Sequence, residues 1–280
     1  MFTNNPFSEL AAFISPDVMQ AYVIIMFLLV VGGTLLDTIH KKSAKYFFEN
    51  AKKAAKAATR EVSGAEKGSI ALQTLTNEIL TSSEFCNPKR RKSHLLIMYG
   101  FVIFVATTAI MIFAYPTAGD ATPGILPLLW HLGALSLCIG GYWFWFGIRV
   151  DLVSEGNPWY RVMRADLFIL SLLATCTFAL IWSATQGSGA GWLFFVLFIA
   201  SSTVLFGGVL WSKFAHMFFK PAAAFQKRVT VADGSRENLP SDFDLTDPAV
   251  QEKFPDIPDY LGKNPAYMGL GIKREAPRHY

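Results

Sequence analysis

Five stretches of this sequence are each long and apolar enough to cross a lipid bilayer, and that constrains the fold more than any other feature. A bilayer core about 30 Å thick needs about 20 apolar residues of helix to span it. The qualifying stretches run from about 18 to 39, 94 to 115, 125 to 148, 161 to 184 and 192 to 216. In lipid every backbone polar group must be satisfied internally, so such stretches fold as helices. The composition agrees: 52% of residues are apolar and only 16% are charged, against roughly a quarter in a soluble chain. The expected fold class is an all-α integral membrane protein, a five-transmembrane-helix bundle with a cytoplasmic helical loop and an extended C-terminal tail.

The distribution of basic residues orients it. If the loops are numbered alternately from the N-terminus, side one holds residues 1–17, 116–124 and 185–191, which contain no Lys or Arg. All 25 basic residues fall on the opposite side or at a helix end touching it. Short cytoplasmic loops collect Lys and Arg. The expected topology is therefore N-terminus outside and C-terminus cytoplasmic, in a bacterial inner membrane. The N-terminus lacks the basic region that opens a secretory signal.

Two segments on the basic side are long. Residues 40–93 are Ala-rich from Lys41 to Val62, with no Gly or Pro there, and read as helix; from residue 41 on they hold 12 basic and 5 acidic residues. This is a solvated helix that satisfies the charge rule, or a surface for anionic lipid or an acidic partner. Residues 221–280 hold half of the chain's 14 prolines and cannot build a core alone. Their spaced aromatics, Phe243, Phe254, Tyr260, Tyr267 and Tyr280, suit a tail that orders against a protein partner better than plain disorder, which is usually poor in aromatics.

The three cysteines, Cys86, Cys138 and Cys176, are far apart with no CxxC pair, which excludes a cysteine-ligated iron–sulfur cluster. A redox cofactor would need histidine. His94 opens the second stretch and His216 closes the fifth. With alternating topology both lie at the inner end of the membrane, the depth relation that a bis-histidine heme requires. Arg90, Arg91 and Lys213 stand close by as candidate propionate contacts, and Gly100, Gly207 and Gly208 leave room for a porphyrin or a close helix contact. A His at a helix end among Lys and Arg also serves as an interfacial anchor.

His131 stands alone at the outer end of the third stretch, as an interfacial His or part of an outer quinone site. His40 closes the first stretch and snorkels. Intramembrane acids are costly, and Asp37 and Asp166 are the two such residues. Both lie near the inner surface, where ion pairs (Asp37 with Lys41, Asp166 beside Arg164) compete with a proton-transfer role. Asp37, His40, Asp166 and His131 are thus the quinone or proton candidates. No charge occupies the middle of a span, against an ion-coupled transporter. There is no P-loop, HExxH or GxSxG.

Residues 91–109, RKSHLLIMYGFVIFVATTA, and 211–228, WSKFAHMFFKPAAAFQKR, resemble the second and last helices of membrane cytochromes related to the nitrate reductase gamma subunit. In that group a Ser-Lys/Arg-x-x-His-x-x-x-x-Pro pattern carries a heme ligand; here it gives Ser212, Lys213, His216 and Pro221. The tail 255–275, PDIPDYLGKNPAYMGLGIKRE, is similar to that of the membrane anchor subunits of adenylylsulfate reductases from sulfur-oxidising bacteria. The resemblance implies one b-type heme on His94 and His216, because the counterparts of the outer ligand pair are missing. It implies soluble partners, a flavin alpha subunit and an iron–sulfur beta subunit, with quinone as exchangeable substrate. The chain itself would do no sulfur chemistry, and a nucleic-acid partner is not expected. A heme-free anchor for such an enzyme is the alternative.

Overall fold

The computed structural model describes residues 2–40, 43–83, 85, 87–149, 158, 160–236 and 246–255. Five of its helices are long and apolar enough to cross a membrane. They are α1 (Pro16–His40), α4 (Pro88–Ala114), α5 (Ile125–Trp143), α6 (Leu167–Thr185) and α7 (Gly189–Gly207). A π turn, Phe144–Ile148, extends α5, and a 3-10 turn, Arg164–Asp166, precedes α6. No strand occurs among the described residues. The chain is an all-helical protein with five candidate spans.

The spans pack in a ring: α1 on α4, α4 on α5, α5 on α6, α6 on α7, and α7 back on α1. The closest contact is α4 on α5, and small residues make it. A Cβ on Gly100 would lie 2.7 Å from the Gly133 carbonyl oxygen, one on Gly133 would lie 2.9 Å from the Phe104 nitrogen, and one on Gly140 would lie 2.8 Å from the Ser93 carbonyl oxygen. Lipid gives helices no hydrophobic reason to associate, so close backbone approach and interhelical hydrogen bonds do it instead. Ser93 Oγ donates to the Gly140 carbonyl at 2.8 Å and Ser136 Oγ to that of Leu96 at 3.0 Å. Gly100 is thus filled by a helix contact and does not leave porphyrin space.

Helix α1 is the least enclosed, burying only Met19, Met26 and Asp37. Polar bonds hold it. Tyr22 Oη reaches Ser202 Oγ (2.8 Å) on α7, and Gln20 Nε2 donates to the Ile112 carbonyl (3.2 Å) on α4.

The N-terminal segment closes one end of the ring. Asn5 Nδ2 donates to the Tyr115 carbonyl (2.9 Å), and Gln186 Nε2 donates to the Pro6 carbonyl (2.7 Å). Phe7 is buried with its ring 5.8 Å from Trp130 and 5.3 Å from Trp182.

At the opposite, basic end lies a layer of shorter helices: α2 (Ser43–Ala57), α3 (Gly64–Gln73) with its π continuation Thr74–Leu80, and α8 (His216–Ala232). Ser63 caps α3 by accepting from the Glu66 nitrogen (3.2 Å). Helix α8 packs on α2, α3 and the π turn. Arg228 pairs with Glu78 at 2.7 Å, and the Asp233 carbonyl accepts from the Thr59 nitrogen at 2.9 Å. A short helix, α9 (Pro248–Lys253), follows later.

Two boundaries differ from the sequence expectation. Helix α4 begins six residues before His94, because Asn87 caps it through the Lys89 and Arg90 nitrogens and Pro88 occupies its first turn. The fifth span ends at Gly207, not at 216. Gly208 closes it by donating to the Val204 carbonyl (2.8 Å), turns follow, and His216 opens α8. Residues 221–232, expected to begin the extended tail, are helix within α8, which carries Pro221 inside its second turn.

Candidate functional site: two histidines at the basic end

His94 lies in the second turn of α4 and His216 at the start of α8. Both stand at the end of the bundle opposite the N-terminal plug. The half-buried His94 ring meets two residues that precede α4: Nδ1 shares a hydrogen bond with Ser82 Oγ at 3.0 Å, and Phe85 lies 4.9 Å away, ring to ring. Ser82 is fully buried at a positive φ of 47°. A non-glycine residue adopts that conformation only where its surroundings hold it, so the hydroxyl is fixed on the imidazole.

His216 Nδ1 donates to the Lys213 carbonyl one turn back. A carbonyl only accepts, so this nitrogen carries the proton and the lone pair sits on Nε2. The His216 ring stands edge-on to Phe168 of α6 at 5.7 Å, and Phe168 in turn packs on Phe214 at 5.5 Å.

Phe85 joins the two halves of the site. Besides His94, its ring receives the Arg90 guanidinium at 5.9 Å and the Lys220 ammonium at 5.4 Å. Lys220 is one turn beyond His216 on α8. Arg91 donates from Nε to the Thr81 carbonyl at 2.7 Å. Lys213 is exposed in the turn before α8. The structure therefore gathers His94, His216, Arg90, Arg91 and Lys213 at one end of the bundle and adds Ser82, Phe85 and Lys220. The sequence carries no signal for Ser82 or Phe85, whose proximity to His94 is a tertiary contact.

The donor set suits a heme better than a bare ion. Among the described residues no group of three or more His, Cys, Asp or Glu could hold a metal. Heme iron asks the protein for only one or two axial ligands, the porphyrin supplying the rest, and a ligating His ordinarily anchors its other ring nitrogen on a hydrogen-bond partner. Both histidines have such an anchor at Nδ1.

The remaining candidates are placed elsewhere. Asp166 pairs with Arg149 at 2.5 Å, not with the adjacent Arg164, and also accepts from the Met163 nitrogen at 2.8 Å. Arg149 is itself buried, 4.0 Å over the Trp145 ring, and donates to the Arg161 carbonyl. This ion pair ties the end of α5 to the start of α6. Asp37 is buried on α1, and its expected partner Lys41 lies outside the described residues. His40 is exposed at the end of α1.

His131 is only 3% exposed and sits at the far end, under the N-terminal plug. Its Nδ1 donates to the Pro127 carbonyl at 2.6 Å, so Nε2 accepts from Ser183 Oγ of α6 at 2.8 Å. It cross-links α5 to α6. Of the tail aromatics, Phe254 is exposed just after α9; Phe243, Tyr260, Tyr267 and Tyr280 lie outside the described residues.

No protein-family model matches the chain, and no curated protein or solved structure matches it either.

Proposed function

We propose that this chain is the membrane anchor and electron-transfer subunit of a cytoplasmic oxidoreductase, one b-type heme on His94 and His216 linking that enzyme to membrane quinone. The carrying observation is that two imidazoles from separate helices stand at the same, basic end of the bundle, each with Nδ1 anchored inside the chain. When bound, the heme supplies a one-electron couple. Ser82 and the Lys213 carbonyl would hold the two rings in orientation. Arg90, Lys213 and Lys220 would neutralise carboxylates and favour the reduced state, since nearby cations stabilise added negative charge.

The partner chemistry rests on the resemblance of residues 91–109, 211–228 and 255–275: a soluble adenylylsulfate reductase with flavin and iron–sulfur subunits. The absence of Lys and Arg from 1–17, 116–124 and 185–191 supports an inner-membrane protein with N-terminus outside and C-terminus cytoplasmic. Quinone is the exchangeable partner, and Asp37 and His40 remain the proton-transfer candidates on the basic side.

A second reading, a heme-free anchor for the same enzyme, is favoured by the way each imidazole already bonds and stacks within the chain, His94 on Ser82 and Phe85, His216 on Lys213 and Phe168. A reduced-minus-oxidised spectrum of the chain purified from heme-replete cells separates them. The first reading expects a b-type alpha band that disappears in both His94→Ala and His216→Ala while the variants still insert. A colourless wild type leaves only the anchor.

A further inference from the structure

One helix of the basic-end layer has a face that the described residues do not cover. The continuous segment Gly64–Leu80, α3 and its π turn, shows three faces. Ile70 and Thr74 are buried, and Glu78 pairs with Arg228 on α8. Lys67, Gln73 and Asn77 are exposed polar residues. The third face is open and mostly apolar: Leu72 is 62% exposed, Leu75 45% and Leu80 44%, with Ile79 half-buried beside them, and Thr76 between them bonds its hydroxyl back to the Leu72 carbonyl at 3.0 Å.

The π register helps build that face. In an α-helix residues five apart diverge around the axis. In a π turn, where the hydrogen bond runs from i to i+5, they stack. Thr81 donates to the Thr76 carbonyl (3.2 Å) in that pattern. Leu80 is thereby set above Leu75 on the side that Leu72 occupies.

The end of this helix is fastened to a membrane span. Tyr99 Oη donates to the Leu80 carbonyl at 2.7 Å, and Arg91 Nε donates to that of Thr81 at 2.7 Å. Tyr99 belongs to the apolar part of α4, five residues further into the span than His94, and is itself 43% exposed, with Val102 beyond it at 56%. The open leucine face is thus continuous with the lipid-facing surface of α4, and Arg91 stands at headgroup level.

We propose that Gly64–Leu80 is an interfacial helix, lying in the leaflet on the basic side of the membrane with Leu72, Leu75, Ile79 and Leu80 against acyl chains. An amphipathic helix in this position buries its apolar face some 5–10 Å deep at the headgroup boundary. The basic-end layer is then seated on the bilayer, and the His94 side of the candidate site is shielded from water by lipid as well as by protein. The inference rests on the membrane reading of the spans and not on the heme.

The test uses spin labels on the full chain carrying Cys86→Ser, Cys138 and Cys176 being buried. Labels at Leu72→Cys and Leu75→Cys are compared with Gln73→Cys and Asn77→Cys on the polar face and Val102→Cys in the span. The protein is reconstituted alone in phosphatidylcholine–phosphatidylglycerol vesicles, and collisions with oxygen and with a water-soluble nickel chelate are measured. The expected result is that 72 and 75 follow 102, oxygen-accessible and nickel-protected, while 73 and 77 show the reverse. Nickel access at 72 and 75 would place that face in water and overturn the proposal in favour of a soluble partner. Protection from both reagents would mean that protein, a second copy or the chain's own tail, covers it, and would overturn it equally.

Discussion

The Arg149–Asp166 pair and the His131–Ser183 bond are where single side chains matter most to stability. Arg149 and Asp166 have side chains 4% and 13% exposed. Removing one member of such a pair strands the other charge, which costs about 3–5 kcal/mol. Asp166→Asn should therefore lower the melting temperature in detergent well beyond what Arg164→Gln does. The heme band, if present in the wild type, should persist in Asp166→Asn. His131→Phe leaves the Ser183 hydroxyl buried without its acceptor, at a cost of about 1–3 kcal/mol, and should be matched by a similar loss in Ser183→Ala. Quinone turnover that collapses at unchanged stability in His131→Phe would instead return this residue to the candidate site. Neither contact was legible in the sequence. Arg149 is 17 positions from Asp166, and His131 is 52 from Ser183, so nothing local relates them.

At the scale of elements, the α4–α5 contact depends on three backbone approaches that only glycine permits. Gly133→Leu would put a Cβ 2.9 Å from the Phe104 nitrogen, a backbone atom that cannot step aside. The expected outcome is loss of the folded protein, seen as aggregation on size exclusion, whereas Gly32→Leu, with nothing within 4 Å of its Cβ, should be tolerated. The start of α3 should be sensitive to acid. Hydrogen bonds from the Arg60 guanidinium hold the Glu66 carboxyl below its usual range. A depressed carboxylate contributes stability above its unfolded pKa, about 4.3, and loses it as the pH falls through the lower folded value. Amide protection at the start of α3, corrected for intrinsic exchange, should weaken below about pH 4 in the wild type and show no such step in Glu66→Gln. The Asn87 cap and the Ser63–Glu66 pairing are written locally in the chain. The break at Gly207–Gly208 is local too, yet the apolar residues Val209, Leu210 and Trp211 that follow it carry the expected span on towards 216 and conceal it.

The described residues form a ring of five helices long and apolar enough to span a membrane, plugged at one end by residues 5–10 and floored at the other by short helices. The Asp233 carbonyl ties the floor together through the Thr59 nitrogen, so residues 221–236 belong to the floor and not to a tail. Deleting residues 237–280 should leave membrane insertion and thermal stability intact and abolish co-purification with a soluble partner. Retained partner binding would remove the docking role from the tail. Reporter or cysteine-accessibility mapping should place residues 2–15 outside and the floor inside.

The number and rough placement of the spans, and the concentration of basic charge on one side, were determined by the sequence itself. The reason is that bilayer thickness and backbone hydrogen bonding act on each segment separately. Which side chains meet was decided only by the tertiary structure. His94 and His216 reach the same end because α4 and α7 run oppositely, but their partners, Ser82, Phe85 and Phe168, come from connections and neighbours whose positions no local pattern encodes. Likewise a leucine face on Gly64–Leu80 is readable from spacing, whereas its alignment with the lipid surface of α4 depends on two hydrogen bonds made after the chain has folded back on itself.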